Sequence, residues 1–209
     1  MHAHEHAHEH PEPTDPRVGP ATVYLIVGLP GAGKTTRAKE LEIRAPALRL
    51  TPDEWQIALF DGQNPLDKRD LVEGKLVQVG MRAAELGIDV VFDFGFWGKD
   101  ERSALRWIAA AVGARSQVVY LPIDHEEQRR RVTNRFAGAP GQTFPMSDVE
   151  LEQWRAQFQA PDEEELRGSQ IPAVPPQHGT WSKWASWRWP SLPDQYAPPP
   201  PLPRTGPPA

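Results

Sequence analysis

Gly28-Leu29-Pro30-Gly31-Ala32-Gly33-Lys34-Thr35 is the stretch from which the fold can be read, because it fills every fixed position of the phosphate-binding pattern G-x-x-x-x-G-K-[ST]. Val23 to Val27, immediately before it, is a short β-branched apolar run that reads as a buried parallel strand. Thr36 to Leu41, immediately after it, is rich in helix formers. In a strand-loop-helix setting the glycines turn backbone N–H groups inward and the helix adds its positive end, so phosphate oxygens meet preorganised donors. Residues Gly28, Pro30, Gly31, Ala32, Gly33, Lys34, Thr35 and Thr36 are therefore the expected nucleotide cradle. Lys34 reaches the β- and γ-phosphates, and the Thr35 hydroxyl ligates Mg²⁺.

Further along, the pattern alternates. Ala47 to Leu50 reads as a second strand, and Thr51-Pro52-Asp53-Glu54 as a helix start with Thr51 at the N-cap, Pro52 at the first helical position and Glu54 closing a capping box. Leu66 to Leu86 reads as a long helix with a buried stripe of Val72, Leu76, Val79, Ala83 and Leu86, stopped by Gly87. Ile88 to Asp93 is a third strand ending in a carboxylate, Lys99 to Val112 a helix, and Gln117 to Ile123 a fourth strand. A helix over Asp124 to Phe136, a Gly/Pro loop over 137–145, and a helix begun by the Ser147/Glu150 capping box complete the pattern. Such an order specifies an α/β fold, a three-layer α/β/α arrangement of the P-loop NTPase type around a mostly parallel sheet. Ligands in these sheets bind at the C-terminal edge of the strands, so the loop, Asp53 and Asp93 are expected to converge there. Asp93 is read as holding a metal-bound water, the metal or the substrate.

The helix after the fourth strand carries Arg129, Arg130, Arg131 and Arg135. Glu126–Arg130 and Glu127–Arg131 are i,i+4 pairs in the favourable orientation. Arg135 has only Arg131 at i−4, and an anion held between the two would relieve their repulsion. Because the helix runs into a Gly/Pro loop, Arg131 and Arg135 read as the phosphate-facing base of a lid.

The Gly28 to Thr36 loop, Thr51-Pro52-Asp53-Glu54-Trp55, Val90 to Trp97, Glu101-Arg102 and the Arg131/Arg135 helix together resemble the P-loop kinases commonly labelled AAA-family ATPases. That group is related to phage-type polynucleotide 5′-kinase, zeta toxin and chloramphenicol phosphotransferase. The resemblance spans residues 21–166. It implies that Asp53, following the second strand, is the base toward an acceptor hydroxyl, with ATP and Mg²⁺ as cofactors. Polynucleotide kinases carry an arginine three residues beyond that aspartate. Here the position is Gln56, which argues against a nucleic-acid acceptor and for a small molecule. The functional expectation is transfer of the γ-phosphate of Mg·ATP to a small-molecule hydroxyl by Lys34, Asp53, Asp93, Arg131 and Arg135. The alternatives are a polynucleotide 5′-hydroxyl kinase and a nucleotide-binding regulatory or interaction module.

Composition bounds the remainder. With 23 Lys+Arg against 28 Asp+Glu the 209-residue chain lacks the basic excess that non-specific nucleic-acid binding favours. The absence of cysteine excludes disulfides and thiolate chemistry, and no apolar run is long enough to span a membrane, so a cytoplasmic protein is expected. Residues 1–20, with His at positions 2, 4, 6, 8 and 10, read as a disordered segment, a tag or a solvated tail. Residues 21–166 read as the kinase-like domain. Residues 167–209 are Pro-rich, with Trp181, Trp184 and Trp187 spaced by three as along a polyproline helix. This tail reads as incapable of regular helix. It is expected to be disordered, a partner-docking strip, a stacking platform for bases, or a strap over the core, and residues 21–166 are expected to fold without it.

Overall fold

The computed structural model describes residues 19–63, 65–138 and 146–197. The His-rich segment as far as residue 18, most of the Gly/Pro loop (139–145) and the Pro198–Pro201 run lie outside the described residues. Four strands, β1 (Thr22–Val27), β2 (Ala47–Leu50), β3 (Asp89–Gly95) and β4 (Arg115–Tyr120), form one sheet in the order β2-β3-β1-β4 with every pair parallel. The helices are α1 (Lys34–Arg44), α2 (Pro52–Leu59), α3 (Leu66–Glu85), α4 (Lys99–Ala111), α5 (His125–Gly138), α6 (Asp148–Gln157), α7 (Glu163–Leu166) and α8 (Trp181–Arg188). None is long and apolar enough to cross a membrane.

The two-residue period of the strands divides the core into layers. Val23, Leu25 and Val27 of β1 and Val90, Phe92 and Phe94 of β3 face a large cluster with α3, α4 and α8, whereas Ile26 and Val91 face a small one with Ala38 and Leu41 of α1. This is the expected α/β/α sandwich. Two strands differ from expectation in their limits: β3 runs two residues past Asp93, and β4 starts at Arg115 and stops at Tyr120. In α3 the buried face is also rotated, so that Val77, Met81 and Ala84 are inside while Val79 and Leu86 are exposed. Gly80 sets that rotation. A Cβ there would lie 2.4 Å from Phe92 Cζ, so α3 packs on the sheet through a bare backbone position.

The segment after α7 is the main departure. Far from lacking regular structure, it forms α8, N-capped by Thr180, whose side chain accepts from the Lys183 amide at 3.2 Å. Trp181, Trp184, Ala185, Trp189 and Leu192 are all buried in the large cluster, and Trp187 alone of the tail's tryptophans is well exposed, at 65%. Spacing by three fits a helix face (i, i+3) as well as a polyproline edge, and here burial selects the helix. Gly74 of α3 makes room for the chain that follows: a Cβ there would sit 2.4 Å from Ser191 Oγ and 3.1 Å from Trp189 Cβ. The neighbouring α7 is tied in by Glu165, whose buried carboxylate pairs bidentately with the buried Arg102 of α4, while Arg102 also donates to the Phe96 carbonyl at 3.0 Å.

Removing one buried tryptophan typically costs about 3–5 kcal/mol, against a total of about 5–15 kcal/mol for a domain. A chain ending at Leu166 loses three of them, so the expectation of independent folding is reversed. Urea denaturation followed by circular dichroism should show no cooperative transition for the truncated chain; a midpoint equal to that of the full chain would make the segment dispensable.

Candidate functional site

Parallel register builds the site. Leu50 of β2 is paired with Phe92 of β3, so the next residues, Thr51 and Asp93, come side by side, with Thr51 Oγ1 3.5 Å from Asp93 Oδ2. Val27 of β1 is paired with Gly95, and the Gly28 amide donates to the Gly95 carbonyl at 3.1 Å, which fixes the start of the phosphate loop against the end of β3. Within the loop Gly31 and Gly33 take positive φ, 82° and 89°, a region closed to most side chains. A Cβ on Gly31 would come within 3.3 Å of Val132 and 3.4 Å of the Gln128 carbonyl, so α5 lies directly over the loop.

Lys34 opens α1, and its ammonium donates to the Leu29 carbonyl across the loop at 3.1 Å. Burial of the charged end holds it below the ordinary lysine pKa, with Asp93 and Asp53 pulling it back up and Arg69 and Arg135 pressing further down. Asp93, 5% exposed, is pushed above the usual carboxylate range by burial; a hydrogen bond from the Thr35 hydroxyl and the charge of Lys34 offset part of this. A half-buried cation and a buried carboxylate are thus held with their charged forms disfavoured, a condition that an incoming ligand charge would change.

The convergence expected of the loop, Asp53 and Asp93 is present: both carboxylates act on Lys34, and each lies at the C-terminal edge of the sheet. Asp93 sits inside β3 rather than at its end. The capping box expected at α2 is not formed. Thr51 is the N-cap residue and Pro52 the first of the helix, but the Thr51 hydroxyl accepts from Arg49 and lies toward Asp93, while Arg49 takes the Glu54 carboxylate at 3.0 and 3.1 Å. A stronger ionic partner has displaced the local cap.

On α5 the expected i,i+4 pair Glu127–Arg131 is formed, but Arg130 also turns to Glu127, and Glu126–Arg130 is not among the ion pairs of the described residues. Arg131 additionally donates to the Gly31 carbonyl at 3.3 Å, which puts it on the phosphate loop, and Arg135 is close enough to Lys34 to depress it.

Arg69 of α3 was not singled out by sequence reasoning. Its Nη1 donates to Asp53 Oδ1 at 2.7 Å and its Nε to Glu73 Oε1 at 2.8 Å, and Nη1 also lies 3.5 Å from Gln56 Oε1. The Gln56 position therefore does have a guanidinium beside it, delivered from another helix. Its charge is met by two carboxylates. The only sequence cue was the i,i+4 spacing of Arg69 and Glu73, indistinguishable from a surface pair.

The Thr35 hydroxyl and Asp93 carboxylate are adjacent hard oxygen donors at the loop's end, and no arginine forms an ion pair with Asp93 among the described residues. A phosphate-bound Mg²⁺ uses one or two protein oxygens, with phosphate and water supplying the rest, so these two residues fit it. No group of three or more His, Asp or Glu that could hold a metal alone occurs among the described residues.

Because the folded-state pKa of Asp93 is raised, the ionised carboxylate costs stability, and the cost accumulates as pH rises from the ordinary aspartate value through the raised one. Asp93→Asn should therefore stabilise the nucleotide-free protein at neutral pH by about 0.5–2 kcal/mol. Chemical denaturation would read this directly, and a fall in stability would mean that the carboxylate is compensated in the native fold.

Comparison with solved structures gives relatives in fold at low identity. The Chaetomium thermophilum Kti12 structure with ADP-AlF3 superposes with a TM-score of 0.53 at 19% identity, covering 70% of this chain and 85% of the other. The Mycobacterium tuberculosis APS kinase CysC, in complex with AMPPNP and APS, gives 0.52 at 18%, covering 70% and 86%. A chain of the Pnkp1/Rnl/Hen1 RNA repair complex gives 0.54 at 16%, covering 70% of this chain, which spans only 46% of that one. Comparison with curated proteins gave no match. The family model described as AAA domain matches residues 23–161, a span that holds the phosphate loop, both aspartates, Arg69 and the α5 arginines, and the chain belongs to that family.

Proposed function

We propose that the protein is an ATP-dependent kinase that transfers the γ-phosphate to a hydroxyl of a small molecule. The observation that carries this reading is the contact of Thr51, at the start of α2, with Asp93 of β3, which brings Asp53 of α2 and Asp93 to the same edge of the sheet as the phosphate loop, near enough for both to raise the Lys34 pKa. Nucleotide binding alone requires only the loop.

In this reading Lys34 and the amides of the Gly28–Thr36 loop hold the phosphates, and Thr35 and Asp93 hold Mg²⁺, which when bound neutralises phosphate charge. Asp53 accepts the proton of the acceptor hydroxyl as its oxygen bonds to the γ-phosphorus and the bond to the ADP oxygen breaks. Its 58% exposed side chain leaves one face of the carboxylate open to an acceptor. Arg131 and Arg135 neutralise charge that spreads over the transferring group. The pairing of Arg69 with two carboxylates favours an uncharged acceptor over a polynucleotide, since no net positive charge is left there for a backbone phosphate.

An acceptor screen that follows ADP release, set against an ATP-only blank, tests the reaction class. Lys34→Ala should abolish Mg·ATP-dependent turnover with the fold intact by circular dichroism, and unchanged turnover would end the kinase reading. Asp53→Asn should retain nucleotide binding and lose about two to four decades of transfer, the usual contribution of a positioned base. Asp93→Asn should raise the Mg²⁺ requirement instead. Nucleotide titrations at several Mg²⁺ concentrations, run beside single-turnover transfer, separate the two, and wild-type transfer by Asp53→Asn would remove that residue from the site.

A further inference from the structure

We propose that Trp189 and Glu73 are positioning residues for Asp53, acting through Arg69, so that the C-terminal segment is part of the acceptor half of the site. The proposal rests on the reading of Asp53 as the acceptor-facing carboxylate.

Three hydrogen bonds run in series from the core to the site. The Trp189 indole Nε1–H donates to Glu73 Oε2 at 3.0 Å, Arg69 Nε–H donates to Glu73 Oε1 at 2.8 Å, and Arg69 Nη1–H donates to Asp53 Oδ1 at 2.7 Å. Glu73 thus spends one oxygen on the C-terminal segment and the other on Arg69. Burial graded along the series gives it direction: Trp189 is 0% exposed and Glu73 5%, whereas the Arg69 side chain is 28% and the Asp53 side chain 58% exposed. An exposed Asp–Arg pair alone is weak and does not fix the geometry of either side chain. Arg69 is different, because the opposite edge of its guanidinium is clamped by a carboxylate that cannot itself move. The planar fork then transmits that fixed orientation to Asp53.

The surroundings are built for the same purpose. Arg188, adjacent to Trp189, pairs with Asp70 at 2.6 Å and Glu101 at 2.8 Å and lies 3.8 Å from Glu73, so the buried carboxylate has a second cation on the side away from the site. Gln56, fully buried, donates to the Pro65 carbonyl at 3.3 Å and lends Oε1 to Arg69, which ties the α2 end of the series to the start of α3. Gly74 lets the Trp189–Leu192 stretch lie against α3 next to Glu73. A core that needed only apolar filling at this point would not place an indole N–H on a buried carboxylate. Supporting residues of this kind orient groups that touch substrate, and loss of such support commonly costs as much as a misplacement of the group itself.

The test uses the full chain and two readouts. In NMR spectra the Arg69 Nε–H signal should be protected from solvent exchange, and Trp189→Phe and Glu73→Gln should each reduce that protection about tenfold or more while β1 and β3 amides are unchanged. With Mg·ATP and water as the acceptor, Trp189→Phe, Glu73→Gln and Arg69→Gln should slow ADP release by about tenfold to a hundredfold, with the affinity for a fluorescent ADP analogue within about twofold of wild type. The double variant Trp189→Phe/Asp53→Asn should be no slower than Asp53→Asn alone, since the two act on one step. Losses that add, slower release in Trp189→Phe without slower release in Asp53→Asn, or Arg69 protection that survives both substitutions overturns the proposal. If wild type releases no ADP to water, the acceptor screen alone decides the kinase reading, and the Arg69 signal decides the positioning series by itself. Should Trp189→Phe not fold, Glu73→Gln carries both readouts.

Discussion

The site is built on two charges drawn away from water, the half-buried Lys34 and the buried Asp93. Each is held where its charged form is disfavoured, the lysine below its ordinary pKa and the aspartate above, and among the described residues neither is compensated by a contact ion pair of the kind that neutralises most of the other acids and bases. A partly buried charge without such a partner persists only where rigid surroundings over-determine its position. The strand register supplies that rigidity. Thr51 beside Asp93, Gly28 on Gly95 and Lys34 on the Leu29 carbonyl are consequences of how β1, β2 and β3 are paired, not of the side chains themselves.

Rigidity of the sheet in turn requires both faces to be covered, and the coverage is uneven. On one face α1 suffices, through Ala38 and Leu41. On the other, Phe92, Phe94 and Phe96 form a set of edge and stacked aromatic contacts with centroids 5.0 to 6.4 Å apart, and the wide space between α3 and α4 is filled by Trp181, Trp184 and Trp189 from the C-terminal segment. The phosphate loop and the proline-flanked segment near the end of the chain are therefore two parts of one packing solution. A site made at the sheet edge inherits its precision from residues about 150 positions away in sequence.

What could be read from sequence follows the range of the interactions involved. The strands, the loop and most helix limits were legible because β-branched runs, positive-φ glycines and caps are local signals; the Ser147/Glu150 capping box is present as expected, with the Glu150 amide donating to Ser147 Oγ at 3.3 Å. Convergence of Asp53 and Asp93 was legible because parallel topology fixes where strand ends go. The Thr51/Glu54 box was not formed because Arg49, on the preceding strand, competes for both groups. Helix α8 was illegible because Trp at every third position is compatible with two periodicities and the prolines that suggested an extended chain flank the helix without entering it. Arg69 was illegible for a third reason: its partners, Asp53 and Glu73, are supplied by two helices, and no window of sequence contains the geometry.

Arg69 also bears on how a motif should be carried from one chain to another. Judged by position alone, Gln56 leaves the neighbourhood of Asp53 without a cation. In space, the guanidinium of Arg69 lies against both Gln56 and Asp53, so a cation stands there, supplied by another helix. What matters then is its electrostatic state. An arginine with one carboxylate partner forms a neutral pair with donors to spare, whereas Arg69 divides its fork between Asp53 and the buried Glu73, which leaves no net positive charge there. The charge beside Asp53 is then set less by whether an arginine is present than by how many carboxylates it already serves, and Glu73, held by Trp189, is the second of them.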